Sequence, residues 1–578
     1  MTDDNHRDFE GIAKEQLNQE MRRIEAVQAV LKRKGLDFLD QMRTEDDVGS
    51  YQSVLGLWQN ETFLAELEAA VLAELAPDPG GIRRFLADFE AKIEDLDARW
   101  LLTLWWQTSG TREVDLDPLI REYQGIYTKG LLQRLERKQQ VSDVDPVTRQ
   151  RLNIWQQVAE RELVDSALVS QRTRLRQEIA NYRFPHQGRD YTASQIRTNI
   201  LRVKQDRELR RTAWNSLVRL SQQMAPKIRE LLLQTNVHWL ERGYLNANTP
   251  RLQALGVSEI VVRQVIASIE KETRSVAQSL LKEYNTFLDY EIAEWDWRFV
   301  ATQMPHSFDH AFKNINAISC LKKTYKTLGI NVERLPIQFD DNSAVHGIRH
   351  NAVRIPHDII FSLGPISGPL EYYSLLYVLG EACYFAHLDG DLTYAFRRYA
   401  PKPLGEGLAT LSSWLLWEYD WLEEFTNLAP NQIVEFSQQM KNYELLKLRY
   451  YAGFAAFEME IYRALAEDPK IDLDMLYEQH MESFLLMPTT DRSMWAMAHW
   501  LIDRQGIPRF TNYVLGLAVA ATLNDCLHEK GSYLFSKEFG KLFQSDLVRQ
   551  GASSPWLERL QQLTAKTLTP FPMSWSRA

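Results

Sequence analysis

The stretch 375-LLYVLGEACYFAHLDG-390 places a carboxylic acid inside an otherwise apolar helical pattern. Tyr377 and Glu381 are four residues apart, so they share one face of a helix. A buried carboxylate without a partner is costly, or it becomes protonated. Glu381 therefore needs a cation, a metal ion, a hydrogen-bond donor or water in a cleft. The simplest alternative is a structural ion pair with Arg397 or Arg398.

The residues around this stretch resemble the metal-binding region of a known enzyme family. The run 352-AVRIPHDIIFSLGPISGPLEYYSLLYVLGEACYFAHLDGDLTYAFRRYAPKPLGEGLATL-411 looks like that region of zinc oligopeptidases of the thimet oligopeptidase and oligoendopeptidase F type. Members carry H-E-x-x-H on one helix, and a glutamate on a second helix is the third zinc ligand. Weaker similarity covers most of the chain, including residues 205–246 and 508–523. The resemblance implies a gluzincin-type fold.

Two alignments place the family motif on this helix. One puts it on 380-GEACY-384, where Glu381 keeps the place of the general base. The other is anchored on 385-FAH-387 and puts the motif on 377-YVLGE-381. Glu406 then follows Tyr377 by 29 residues, the family spacing from the first histidine to the third ligand. We prefer the second alignment because it needs no gaps.

In either alignment both histidines are replaced. In the preferred one, Tyr377, Glu381 and Glu406 are the degenerate metal-site positions, and Val378 stands at the general-base position. Catalytic zinc of this type uses two imidazoles and a carboxylate. An all-oxygen set favours Ca²⁺, Mg²⁺ or Mn²⁺ instead, if it holds any metal. The sequence thus predicts no catalytic residue, no cofactor and, in particular, no zinc.

The resemblance also suggests residues that would line a ligand-binding cleft. The strand predicted near residues 350–356 would pair with an extended ligand by β-addition. An arginine fork suits a carboxylate group. Active members use His and Tyr near residues 499–513 to stabilise the tetrahedral intermediate. The candidates are His350, Asn351, Arg354, His387, Arg398, His499, Arg509 and Tyr513.

Composition excludes several other classes of protein. The 578-residue chain is 45% apolar and 25% charged, with a formal charge of −10 and no long basic run, so nucleic-acid binding is not expected. No apolar run is long enough to span a bilayer, and the acidic start does not look like a signal peptide. The three cysteines, Cys320, Cys383 and Cys526, lack metal-ligand spacing and fit a reducing cytoplasm.

Helical periodicity dominates the chain and predicts a mainly α fold. We expect a two-lobed helical ellipsoid with a deep central cleft and a small β-sheet, at about 335–363, beside the degenerate metal-site helix. The predicted domains are an N-terminal helical lobe at 1–275 and a C-terminal lobe at 276–578. The clearest helical segments are 12–45, 51–76, 81–107, 146–180 and 193–241.

These patterns favour a catalytically inactive, peptidase-like protein that binds a peptide or protein segment in the cleft without cutting it. One alternative is a structural subunit of a larger assembly. Another is an enzyme of changed chemistry, a hydrolase or lyase, in which Glu381 and Glu406 act as a carboxylate pair. A residual oligopeptidase is the least favoured reading.

Overall fold

A computed structural model of the chain describes residues 79–109, 117–340, 347–489, 492–497, 501–502 and 508–569. The helices predicted at 12–45 and 51–76 lie outside the described residues. The segments 81–107 and 146–180 are helical with ends within a few residues of those expected, while 193–241 is interrupted, with a long helix only over Arg207–Leu240. Ser258, for example, caps the helix that follows it, because its side chain accepts a hydrogen bond from the Val261 amide.

Helices account for most of the described chain, so the predicted mainly α fold with a small sheet is confirmed. Short 3-10 turns and one π-helical turn, Ile196–Ile200, connect several of them. The α-helices are α1 (Pro79–Ser109), α2 (Asp117–Ile126), α3 (Lys129–Gln139), α4 (Pro146–Asn181), α5 (Ala193–Gln195), α6 (Arg207–Leu240), α7 (Asn248–Leu255), α8 (Glu259–Leu288), α9 (Trp297–His306), α10 (Ala317–Thr327), α11 (Pro369–Ala386), α12 (Tyr394–Arg398), α13 (Lys402–Trp414), α14 (Tyr419–Phe425), α15 (Pro430–Glu467), α16 (Leu473–Leu485), α17 (Arg509–Glu529), α18 (Lys537–Phe543), α19 (Asp546–Arg549) and α20 (Trp556–Thr564).

Two small sheets complete the described fold. A hairpin of β1 (Phe184–His186) and β2 (Arg189–Tyr191) lies between α4 and α5. The predicted sheet contains β3 (Ile337–Asp340), β4 (Arg349–Arg354) and β5 (Asp358–Ser362) in the order β3–β5–β4. β5 pairs parallel with β3 and antiparallel with β4, so β4 forms an edge.

The chain divides into two compact units. One comprises Met1–Phe85 with Gln140–Asp145, and its described part includes an ion pair between Arg83 and Asp145 at 3.6 Å. The other comprises Leu86–Gln139 with Pro146–Ala578 and contains both sheets. The predicted lobes at 1–275 and 276–578, and the cleft between them, stay predictions.

No single helix in the described ranges is long and apolar enough to cross a membrane. The pair α7 and α8 reaches that length and composition only when taken together, and the two helices meet at an angle of 84°.

The core of the second unit is organised by α13, which packs between α11 and α17. The close approach of α11 and α13 depends on Gly380. A Cβ atom at this position would lie 2.7 Å from the Cβ of Ser412 and 3.0 Å from the Cα of Ala409. Both distances are shorter than normal carbon–carbon contacts. Helix packing thus explains why the apolar stretch 375–390 carries a glycine at position 380.

Replacing Gly380 with Ala should force α11 and α13 apart. We expect the free energy of unfolding to fall by about 1–3 kcal/mol, the usual cost of overpacking a core. Urea denaturation followed by circular dichroism measures this change. Gly125→Ala is the matched control, because nothing lies within 4 Å of the added methyl on α2. Equal effects of the two substitutions would contradict the packing argument.

Candidate functional site

Glu406 is a buried carboxyl group at the junction of α11, α13 and α17. The Tyr377 hydroxyl on α11 donates a hydrogen bond to its Oε1 atom. The Asn512 amide on α17 donates to its Oε2 atom at 3.3 Å. Gly516, one turn further along α17, leaves the space that the Glu406 side chain occupies. Both carboxyl oxygens therefore have a donor from a neighbouring helix.

The pKa of Glu406 is raised to about 8, chiefly by burial and next by the nearby charge of Glu381, while the Tyr377 hydrogen bond opposes the shift. Burial also raises the pKa of Tyr377 well above its usual value, with Glu406 next in effect. At neutral pH the tyrosine is therefore a phenol, and the carboxyl of Glu406 holds a proton. The two side chains form a neutral hydrogen-bonded pair.

Glu381 lies one turn beyond Tyr377 on α11 and keeps 27% of its side chain exposed. Its Oε2 atom is 3.7 Å from Nδ1 of His350 on β4, which is too long for a hydrogen bond. Burial lowers the pKa of His350, so the ring stays neutral at pH 7. Burial likewise lowers the pKa of Lys402, and Glu381 opposes that shift. The charges of Lys402 and Glu381 therefore attract each other.

The simple ion pair between Glu381 and a neighbouring arginine does not form. Arg397 donates to Glu94 at 3.2 Å and to the Ile355 carbonyl. Arg398 contacts Asp97 at 3.3 Å. Both arginines therefore hold α12 against acidic residues of α1 and do not pair with Glu381.

Tyr377 and Glu406 are two of the degenerate metal-site positions of the preferred alignment. The fold brings them together although they are 29 residues apart in the chain, since Tyr377 hydrogen-bonds to Glu406. Val378, at the family general-base position, is partly buried against the apolar core. Tyr384, which the other alignment needs, donates instead to the Pro401 carbonyl at 3.0 Å.

The other candidate residues are distributed over several surfaces. Asn351 of β4 donates to the Leu101 carbonyl of α1 at 2.9 Å. The exposed Arg354 reaches Asp95 of the same helix at 3.4 Å. These contacts attach β4 to α1 on one side of the sheet.

His387 ends α11 away from the carboxyl pair. Its Nδ1 atom donates to the Cys383 carbonyl at 2.7 Å, and its ring lies 5.9 Å from that of Phe543. The contacts fit a helix cap better than a ligand-binding role. His499 lies outside the described residues.

Arg509 and Tyr513 occupy the start of α17, one turn apart. Arg509 Nε donates to the Tyr513 hydroxyl at 3.4 Å. The Tyr513 ring stacks on that of Tyr451, with centroids 5.1 Å apart. Arg509 lowers the pKa of Glu406 slightly through its charge, which places this pair near the carboxyl site.

Sequence reasoning missed three polar residues around the carboxyl pair, namely Asn512, Lys402 and Lys447. Lys447 contacts Glu444 at 2.8 Å, and its Nζ lies 4.6 Å from the centroid of the Tyr373 ring. Its charge also lowers the pKa of Glu406. The only sequence signal for Asn512 is its position directly before the apolar run 513–523. Lys402 and Lys447 stand in ordinary helical patterns and carry no such signal.

Neither a protein-family model nor a curated protein sequence matches the chain. Solved structures do match its fold. The M32 carboxypeptidase of Deinococcus radiodurans R1 has a TM-score of 0.57 at 15% identity, over 86% of this chain and 98% of its own. Metallocarboxypeptidase 1 of Trypanosoma cruzi has 0.56 at 15%, over 85% and 97%. PZ peptidase A with an inhibitor has 0.57 at 14%, over 91% and 94%. The chain has a metallopeptidase-like fold.

The comparison corrects one expectation. The sequence reading gave the chain no cofactor, and this is wrong, because the fold is shared with metal-dependent carboxypeptidases and so points to a metal cofactor. At these identities the likeness concerns the fold alone.

The residues at the degenerate positions do not fit a three-ligand zinc centre. Both oxygens of Glu406 accept hydrogen bonds, and its carboxyl carries a proton that a metal would have to displace. Glu381 and His350 each offer one side chain that can bind a metal. Across the described ranges, no three His, Cys, Asp or Glu side chains gather as a metal site needs. The fold and the donor set therefore disagree.

The proton on Glu406 makes stability depend on pH. Its folded pKa of about 8 lies above the ordinary value of 4.5 that holds in the unfolded chain. Between these values the folded protein binds the extra proton, so the free energy of unfolding falls as pH rises, by up to about 1.4 kcal/mol per pH unit. Glu406→Gln should remove this loss, as urea denaturation at pH 5, 6, 7 and 8 would show.

Glu418 provides a matched control, because burial raises its pKa to about 7 at a separate place. Glu418→Gln should reduce the pH dependence below pH 7, where Glu406 still contributes, and leave the loss between pH 7 and 8. If Glu406→Gln instead keeps the wild-type loss above pH 7, the protonated state of Glu406 is refuted.

Proposed function

We propose that the protein binds extended peptide segments beside the Glu381–Glu406 pair and does not hydrolyse them by the metallopeptidase mechanism. The observation that carries this proposal is that both carboxyl oxygens of Glu406 accept hydrogen bonds, one from Tyr377 and one from Asn512. In the resembling zinc oligopeptidases, the corresponding glutamate is a metal ligand. Val378 adds no base that could deprotonate a water molecule. We further propose that the metallopeptidase-like fold of this chain is of the oligoendopeptidase F type.

The edge strand β4 supports peptide binding. Strand order leaves one side of β4 without a strand partner. In the part of the chain that the structure describes, no backbone hydrogen bond joins residues 349–354 to any element other than β5. An extended peptide can add to such an edge through main-chain hydrogen bonds. His350 on this strand faces Glu381, so an added peptide would run past the carboxyl pair.

A second candidate is acid–base chemistry by the same two carboxyl groups. The proton held on Glu406 favours it, because a buried carboxyl that keeps its proton can act as an acid beside the second, solvent-facing carboxyl of Glu381. Glu381→Gln and Glu406→Gln discriminate the two functions. Peptide binding without any turnover of a supplied metabolite mixture, unchanged in Glu406→Gln, would exclude this second candidate.

The peptide-binding proposal predicts retention without cleavage. The full chain is mixed with a pool of fluorescently labelled, C-terminally amidated random nonapeptides. We expect fluorescence anisotropy to rise on binding, and mass spectrometry to find every peptide at its original mass after incubation. Shortened peptides would contradict the non-hydrolytic part, and unchanged anisotropy at all protein concentrations would contradict binding.

A charge reversal on α11 locates the bound peptide. Glu381→Arg adds a second cation next to Lys402 and should weaken binding at least tenfold. Glu371→Arg makes the same change in the first turn of the same helix, where Glu371 accepts a hydrogen bond from Ser367. This control should bind as the wild type does. Equal binding by both variants would place the peptide elsewhere.

A further inference from the structure

A second cavity, of about 250 Å³, lies between one face of α4 and residues of α1 and α2. Trp100 of α1, Tyr123 and Tyr127 of α2, and Val169 and Arg172 of α4 line it. None of its described lining residues belongs to α11, α13 or α17, the helices that form the carboxyl junction. We call this space the Arg172 cavity.

Arg172 is a buried cation with two unused hydrogen-bond donors. Only 2% of its side chain is exposed, and its Nη1 atom donates to Oδ1 of Asp165. In the described part of the chain, its Nε and Nη2 atoms have no hydrogen-bond partner. These two atoms form one edge of the planar guanidinium group, the fork that holds oxygen acceptors. Because a buried donor without an acceptor is costly, this edge is suited to an oxygen atom of a ligand.

The α1 and α2 side of the Arg172 cavity is aromatic. The Trp100 ring meets the Tyr123 ring edge-on, with centroids 5.5 Å apart, and Tyr123 stacks on Tyr127 at 6.2 Å. Such rings provide an apolar surface on which another ring can pack. A cavity of about 150 Å³ is enough for benzene. The Arg172 cavity, at about 250 Å³, therefore has room for one ring with a short polar substituent.

Two carboxylates also line the Arg172 cavity, and they bear on the charge of a ligand. Asp165 pairs with Arg172, and Glu162 lies 3.7 Å from Nη2 of Arg161. A ligand carboxylate would meet these like charges at short range. An amide offers Arg172 an oxygen acceptor as well, and it presents N–H groups, which carboxylates accept. The lining therefore favours a neutral amide over an acid.

We infer that the Arg172 cavity binds a small neutral aromatic amide. The carbonyl oxygen of the ligand accepts hydrogen bonds from Nε and Nη2 of Arg172, and its ring packs against Trp100, Tyr123 and Tyr127. This is a binding site separate from the carboxyl pair, and it does not depend on the proposed peptide binding.

Three small molecules of nearly the same shape, benzamide, benzoate and toluene, test this inference with the full chain. Ligand-observed NMR titrations measure a dissociation constant for each. We expect benzamide to bind at least tenfold more tightly than toluene, which has no acceptor, and more tightly than benzoate, which is repelled by the two carboxylates. Equal binding of benzamide and toluene would exclude the Arg172 contact. Tighter binding of benzoate would exclude a neutral ligand, and no binding of any probe would overturn the inference as a whole.

Substitutions on α4 locate the bound probe. Val169 is 43% exposed, so Val169→Trp adds a large side chain to the cavity without disturbing the core, and it should abolish benzamide binding. Val147→Trp is the matched control, because Val147 is 53% exposed on the same helix and does not line the cavity. It should bind benzamide as the wild type does. Retention of benzamide by Val169→Trp would place the ligand elsewhere and overturn the inference.

Arg172→Lys tests the role of the guanidinium edge. Lysine keeps a positive charge for Asp165 but lacks the fork, so benzamide affinity should fall to that of toluene while toluene affinity stays unchanged. Circular dichroism checks that the variant is folded. Wild-type preference for benzamide in a folded Arg172→Lys variant would contradict the assigned hydrogen bonds. If the variant does not fold, the probe series and Val169→Trp still decide the inference.

Discussion

The hydrogen bonds to Glu406 from Tyr377 and Asn512 unite three helices around one buried carboxyl group. A carboxyl group in this position is tolerated only because each oxygen has a donor and because the group carries a proton. The glycines of the junction follow from the same constraint, since larger residues would separate the helices that supply the donors.

The junction also explains how a metallopeptidase-like fold accommodates a site without paired histidines. A zinc ion neutralises the carboxylate that binds it, so its loss leaves an unpaired buried charge. Here a phenol and an amide occupy the carboxyl oxygens, and a proton neutralises the charge. The fold is shared with a metallocarboxypeptidase, while the side chains described at this junction do not form a zinc centre. A metal would have to compete with an established hydrogen-bond network.

Much of the fold could be predicted from the sequence, because helix periodicity and capping are local properties. The helices predicted at 81–107 and 146–180, which correspond to α1 and α4, are examples. The hairpin at 184–191 was missed because two three-residue strands leave almost no alternation to detect. The ion pair with Arg397 or Arg398, one of the alternatives for Glu381, does not form, since both arginines are near Glu381 in sequence yet pair with acidic residues of α1.

The shared face of Tyr377 and Glu381 on α11 follows from the sequence alone, because helix geometry sets the spacing within one element. The sequence also indicates that these residues need polar partners. The tertiary structure decided which partners they have. Asn512 lies 106 residues from Glu406, and His350 comes from a strand. Such contacts depend on how separate elements pack, and no local pattern records them.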